Sequence, residues 1–226
     1  MPLLCFGLLY GTAVVHAQGT FQNLDFESAN IPPNPGTFIP FTNALPGWAG
    51  SRGPFVATDA GYNGVAGYFA EVSILDHGFT GFREDVVIEG NYTAALSAGL
   101  AGTGFAATSI YQSSLIPVLA RSLSFAARFD GGNVGDLVVS MNGQNLPFYQ
   151  LSVGPNFQTY GGDISAFAGM MAELRFTEQP HFSHVATTVL LDNIQFSDQP
   201  IPEPDMVSLF GLGALLLGWR FLCKRR

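Results

Sequence analysis

From residue 122 onward apolar side chains return at every second position, and that period dictates strands rather than helices. Leu123, Phe125, Ala127 and Phe129 alternate with Ser122, Ser124, Ala126 and Arg128, the pattern of a half-buried antiparallel strand. Leu137, Val139 and Met141 repeat it and run into Asn142-Gly143, the strongest short hairpin signal, so Gln144 to Leu151 is expected to be the returning strand, with Pro147 at a sheet edge. Leu174 and Phe176 alternate with Glu173, Arg175 and Thr177, and Thr188 to Phe196 reads as the closing strand. A 3.6-residue period is almost absent; the exception is Asp163 to Gly169, where Asp163 caps a single turn and Gly169 ends it. Many short strands between turn signals predict an all-β fold, a two-sheet antiparallel sandwich of jelly-roll type over residues 18–199. The Pro- and Gly-rich stretch Ile31 to Pro40 reads as a long loop after the first strand.

The two ends have a different character. Leu3 to Val15 is an apolar run of signal-peptide length followed by Val15-His16-Ala17, so residues 1–17 read as an export signal with cleavage between Ala17 and Gln18. No positive charge precedes the run, which implies a true start further upstream or trimmed first residues. At the other end Pro202-Glu203-Pro204 precedes Met206 to Trp219, a stretch without charge, and then Arg220 and the closing Lys224-Arg225-Arg226. A helix from Met206 to Leu222 would rise about 25 Å, slightly short of a bilayer core of about 30 Å, with Arg220 snorkelling and Trp219 at the interface. Residues 200–226 are therefore expected to carry a C-terminal transmembrane helix with its basic end in the cytoplasm, the same topology that the N-terminal signal implies.

Charge excludes one class of partner. Of the 9 basic residues in the 226-residue chain, only Arg52, Arg83, Arg121, Arg128 and Arg175 lie outside the last seven positions, against an acidic majority between the termini. That balance argues against nucleic acid as a partner, since binding it requires cations to neutralise phosphates. The two cysteines, Cys5 and Cys223, both sit in the terminal apolar runs, so the domain between them has no thiol and depends on packing, with or without a metal.

The tripeptide Pro202-Glu203-Pro204, the short apolar helix and the basic end together resemble the PEP-CTERM sorting signal of bacteria that make extracellular polysaccharide. That resemblance implies an exosortase as partner, after signal peptidase and the export machinery, and passage through the inner membrane to the cell surface or extracellular matrix. Within the domain, Phe21 to Glu27, Pro46-Gly47-Trp48, Asp163 to Phe176 and Leu191-Asp192-Asn193-Ile194 resemble landmarks of carbohydrate-binding-module-like, galactose-binding-like jelly rolls. In such domains the first and last strands are neighbours and a structural calcium often lies near them.

Asp192 is the most informative carboxylate. In an unbroken closing strand it shares a face with Leu190, Ile194 and Phe196, and a buried acid needs a partner. A calcium held by Asp192 and Glu27, completed by backbone carbonyls, satisfies it; so does a bulge at Asp192 and Asn193 that turns the acid outwards, or pairing with an arginine. His181 and His184 have zinc-compatible spacing but follow Pro180, which favours an exposed loop. Glu84 and Asp85 are adjacent and would point to opposite faces of a strand, which spoils them as an acid and base pair. Asn91-Tyr92-Thr93 matches a glycosylation sequon by chance in a bacterium. Trp48, Tyr62, Tyr68 and Tyr111 are the aromatic candidates for sugar stacking, with Trp48 expected in the core.

No catalytic constellation is present, so the sequence points to a noncatalytic envelope or matrix protein, sorted by its C-terminal signal. A glycan-binding module acting on extracellular polysaccharide is the first alternative, and a hydrolase of envelope polysaccharide ranks last.

Overall fold

The computed structural model describes residues 20–64, 68–81, 85–102, 104–181 and 186–201. The described strands are β1 (Phe38–Pro40), β2 (Ala49–Arg52), β3 (Phe55–Val56), β4 (Asp59–Tyr62), β5 (Glu71–Asp76), β6 (Tyr92–Ala101), β7 (Gly104–Ala106), β8 (Thr108–Leu115), β9 (Ser122–Asp130), β10 (Leu137–Met141), β11 (Gln144–Asn145), β12 (Tyr149–Val153), β13 (Gln158–Asp163), β14 (Met171–Glu178) and β15 (Thr187–Ser197). A one-turn helix α1 (Phe41–Ala44) and two short 3-10 turns complete the described elements. The strands form two sheets: a larger one in the order β1-β4-β5-β6-β15-β9-β13-β12 with β7 on β6, and a smaller one in the order β11-β10-β14-β8-β2-β3. The pairing is antiparallel apart from β4 with β5 and the bridge from Phe69 to Leu100.

The sheets face each other across one core. Phe125, Ala127 and Leu123 of β9, Val189 and Leu191 of β15, and Leu96 of β6 meet Leu174 and Phe176 of β14, Val139 of β10 and Ile110 of β8, all buried. Trp48 packs into the same core between Phe26 and Phe176, its Nε1 donating to the Asn23 carbonyl at 2.9 Å. A second apolar layer lies on the outside of the larger sheet, where Val86, Val87 and Ile88 cover Leu75, Ala95, Ala126 and Leu190. The central strands are thus buried on both faces, so β9 is not the half-buried strand expected from its alternation: Ala126 and Arg128 are buried as well. Arg128 helps hold the cover down, its Nη1 donating to the Asp85 carbonyl at 2.8 Å.

Three other expectations are corrected. Asn142 and Gly143 do form the hairpin turn, both with positive φ, but the returning strand is split. β11 ends at Asn145, the chain crosses at Leu146-Pro147-Phe148, and β12 joins the edge of the other sheet beside β13; Pro147, with no N–H to donate, sits at the crossing. Phe21 to Glu27 is no strand: Asn23 and Phe26 adopt left-handed φ values of 51° and 58°, and the segment meets the closing strand through the bond from Ile194 N–H to the Leu24 carbonyl at 2.9 Å and through the Phe21 ring, whose centroid is 5.0 Å from that of Phe196. The loop expected over Ile31 to Pro40 ends in a short strand, β1. The turn after Asp163 is as expected, with Asp163 Oδ1 accepting from Ser165 N at 2.8 Å and Gly169 at φ 73°.

Among the described residues no helix is long and apolar enough to cross a membrane. The export signal with Ala17 and Gln18, and the sorting segment with Pro202, Glu203, Pro204, Arg220, Lys224, Arg225 and Arg226, lie outside those residues, as do Glu84 and His184.

Candidate functional site

The closing strand carries the feature that shapes one end of the sandwich. Its register against β9 slips between Asp192 and Gln195, and Asn193 stands at φ 47°, a conformation Asn tolerates better than most residues. The extra residue reverses the alternation, so Val189 and Leu191 face the inter-sheet core before it, and Ile194 and Phe196 after it. Asp192 therefore shares a face with Leu190 but not with Ile194 and Phe196, contrary to the unbroken-strand expectation. Nor does the bulge expose it: Asp192 is 1% accessible, under the segment that covers the larger sheet.

Among the described residues no arginine pairs with Asp192. Its Oδ2 accepts from Thr93 Oγ1 at 2.8 Å and from Glu89 N at 3.2 Å, and its Oδ1 from Asn193 N at 2.7 Å. Burial nevertheless dominates and pushes its pKa up to about 7, with the nearby Glu27 carboxylate adding to the rise. Glu27 holds the same loop from the other side: Oε1 accepts from Asn91 N at 2.7 Å and Tyr92 N at 2.9 Å, and Oε2 from Asn91 Nδ2 at 2.8 Å. Burial opposes ionisation of Glu27, yet these bonds outweigh it and leave its pKa below the ordinary value. The sequon residue Asn91 is thus a structural link. Gly90, at φ 68°, is needed here, since a Cβ would fall 2.6 Å from Glu27 Cδ.

A carboxylate offers about four acceptor positions, and Glu27 and Asp192 each use three. Among the described residues each keeps one acceptor position unused. Among the described residues no three His, Cys, Asp or Glu side chains converge on a metal position, so an ion there would need carbonyl or water oxygens to complete its shell.

Beside Asn91 and Tyr92 lies an open pocket of about 300 Å³, lined by Tyr62, Asn63, Asp76, His77, Gly78, Asn91 and Tyr92. Strand pairing assembles it: β4 runs parallel to β5 and places Tyr62 beside Ile74, while Asp76 at the end of β5 pairs with Tyr92 at the start of β6. Asp76 organises the floor. Its carboxylate accepts from Tyr62 Oη at 2.6 Å, Asn63 Nδ2 at 2.6 Å and Gly78 N at 2.7 Å, and its own N–H donates to Asn63 Oδ1 at 2.9 Å. Burial would raise the pKa of Asp76, but these donors and the neighbouring His77 hold it below the ordinary carboxylate value. The bond to Asp76, with burial, in turn raises the Tyr62 hydroxyl to about 12. The pocket therefore presents an ionised acceptor, amide groups and the rings of Tyr62, His77 and Tyr92. That set suits a neutral polyhydroxylated ligand, whose hydroxyls need donors and acceptors and whose C–H faces lie against rings.

The four aromatic candidates do not share one surface. Trp48 is core, as expected; Tyr62 lines the pocket; Tyr68 is exposed beside Phe69 and Phe105; Tyr111 lies on the smaller sheet under Arg175, whose guanidinium carbon is 3.9 Å from the ring centroid. Sequence reasoning missed Asp76, His77 and Asn63, for which Asp-His-Gly after a strand was the only local signal. His181 places Nδ1 3.0 Å from Asp136 Oδ1, away from this pocket.

At the opposite end of the sandwich sits a buried acid of another kind. Glu178 follows Ala172, Leu174 and Phe176 on the core face of β14, and is fully inaccessible between Thr108 and Leu137. Among the described residues neither carboxylate oxygen has a hydrogen-bond partner. The Thr187 hydroxyl lies close, but its proton goes to the Gln179 carbonyl at 2.9 Å, as that of Thr108 goes to the Ser97 carbonyl at 2.7 Å. Burial, reinforced by Asp136, pushes the Glu178 carboxyl up to about 8.

No family model and no curated protein matches the chain. Among solved structures, it is similar to the carbohydrate-binding module TmCBM61 in complex with beta-1,4-galactotriose, at 9% identity and a TM-score of 0.39, over 80% of this chain and 99% of that one. The cleaved adhesin domain K2 of Lys-gingipain gives 14% identity and a TM-score of 0.40 over 76% and 95% of the two chains. A family 11 carbohydrate-binding module from Clostridium thermocellum gives 13% and 0.37 over 71% and 94%. The chain spans only 19% of a tailspike protein of Bacteriophage CBA120 and 26% of the secreted serine protease VesC from Vibrio cholerae, to which it is also similar.

Proposed function

We propose that this chain is a glycan-binding module of the bacterial envelope whose pocket at Tyr62, Asp76, His77 and Tyr92 takes a sugar unit of an extracellular polysaccharide. The observation that carries the reading is the pocket itself: a carboxylate kept ionised by three donors, flanked by two amides and three rings, in an opening of about 300 Å³. Residues 1–17 direct export and residues 202–226 serve as the sorting signal for an exosortase, which holds the module at the inner membrane before it reaches the surface or matrix. Isothermal titration of the chain against its own producer's polysaccharide tests the binding. Asp76→Asn is expected to weaken affinity tenfold or more, the cost of one charge-assisted hydrogen bond at about 1.5–3 kcal/mol. Unchanged affinity in that variant removes the pocket from consideration.

The carboxylates of Glu27 and Asp192 hold a structural calcium, which ties the segment before β1 to the loop before β6. Calcium at a hundred times its dissociation constant is expected to stabilise the fold by about 2.7 kcal/mol. Melting curves with added calcium and with a chelator check this, and superimposable curves rule the ion out.

A further inference from the structure

Leu115, Val118, Leu119, Met170 and Met171 form an exposed apolar tip at one end of the sandwich. Val118 and Leu119 are 72% and 71% accessible and Met171 is 64% accessible, values unusual for adjacent aliphatic side chains. Two loops make the tip one body: Ile116 N donates to the Met170 carbonyl at 2.9 Å, Gly169 N to the Ile116 carbonyl at 3.2 Å, and Met171 pairs with Leu115. No charged residue occurs in 115–120 or 164–172.

Both described chain ends lie at this same end. Thr20 N donates to the Leu115 carbonyl at 3.4 Å, and on the other side Arg121 N donates to the Ser197 carbonyl at 2.7 Å and Ser122 Oγ to the Gln199 carbonyl at 2.7 Å. The chain that continues from residue 201 carries, within a few residues, the uncharged run Met206 to Trp219 and its basic end. A domain that leaves for a bilayer from the end that bears its own uncharged, aliphatic tip presents that tip to the lipid.

We propose that this tip is a membrane-docking surface: Val118, Leu119, Met170 and Met171 enter the interfacial region of the bilayer while residues 202–226 anchor the chain in it. The proposal rests on the reading of that segment as membrane-embedded. It also orients the pocket. Asp76 pairs with Tyr92 and Leu191 with Ala94, which sets the pocket level with the middle of β9. Ser122 lies roughly three residues, about 10 Å, further towards the tip. The docked module holds its pocket above the headgroups, open to polymer alongside the membrane.

The test uses the full chain in vesicles of phosphatidylethanolamine and phosphatidylglycerol, with an environment-sensitive fluorophore on a single cysteine and nitroxide-labelled lipid as quencher. Three labelled forms are compared, each with every other cysteine, Cys5 included, replaced by serine: Leu119→Cys, Val56→Cys on the exposed β3 at the far end, and the natural Cys223. The expected result is a blue shift and lipid quenching at position 119, as at Cys223, with position 56 remaining in water. A probe at 119 in water while Cys223 is quenched overturns the docking and leaves the anchor standing. Both probes in water overturn both. A probe at 119 shielded from water yet not quenched by lipid means that a second copy or residues 1–19 cover the tip, and that also overturns the proposal.

Discussion

Replacing Glu178 with methionine is expected to stabilise the domain, by about 3 kcal/mol at pH 7 and nearer 5 kcal/mol above pH 8. Glu178 has a carboxyl that ionises near 4.5 in the unfolded chain and is pushed up to about 8 in the folded one, chiefly by burial. Between those values the folded state holds the proton and the unfolded state has lost it. Stability therefore falls as pH rises through this window, and the penalty is complete once pH exceeds the folded value. Among the described residues neither oxygen receives a donor that would offset the loss of water. Methionine fills similar space beside Leu137 without a polar atom, and a gain of this size moves the melting temperature of a domain of this length by about 10 °C. Glu178→Gln separates the two contributions: it abolishes the slope between pH 7 and 8 but recovers less stability, because its amide is buried without partners too. Melting curves from pH 5 to 9 measure both, and a wild-type slope that survives in Glu178→Gln assigns the pH dependence to another group.

The same acid shows where sequence reading reaches its limit. Period two located β9, β10, β14 and β15 because the side of each that faces the inter-sheet core carries the larger apolar residues, although burial itself follows the pleat only in β14, while β9 and β15 are covered on both faces. Glu178 belongs to that alternation with Leu174 and Phe176, yet a carboxylate at a core position reads as the end of the pattern. β6 escaped for the opposite reason: Thr93 to Ala98 is buried on both faces, so small residues replace alternation. The sequence admits a bulge at Asn193 as well as an unbroken strand, and the bulge decides which residues share a face with Asp192. The pocket was the least legible feature. Its residues come from three segments that only the pairing of β4, β5 and β6 brings together, and nothing local to Tyr62 announces Asp76 or Tyr92.

Asp192 should respond to mutation with the opposite sign, although its pKa is raised in the same direction. At pH 4, at the foot of the window in which ionisation penalises either acid, Asp192→Ala is expected to destabilise the fold by about 3–5 kcal/mol, against the gain at Glu178, because the two acids differ in their partners and not in their burial. Asp192 receives the Thr93 hydroxyl and the Glu89 and Asn193 amides, and truncation strands these donors under the cover formed by Val86, Val87 and Ile88. Burial still keeps the acid near 7 in the folded state against 3.8 unfolded, so stability falls between pH 3.8 and 7, where the unfolded chain has given up a proton that the folded state keeps. Asp192→Asn removes that slope while keeping one acceptor oxygen, and its loss should be smaller than that of the alanine variant. Calcium adds an independent reading: an ion at Glu27 and Asp192 favours the ionised acid, so with calcium present the slope below pH 7 flattens and Asp192→Asn loses the calcium-dependent part of its stability. If Asp192→Ala melts within a degree or two of the wild type, the three bonds to its carboxylate contribute little and the loop over the sheet is held by its apolar side chains alone.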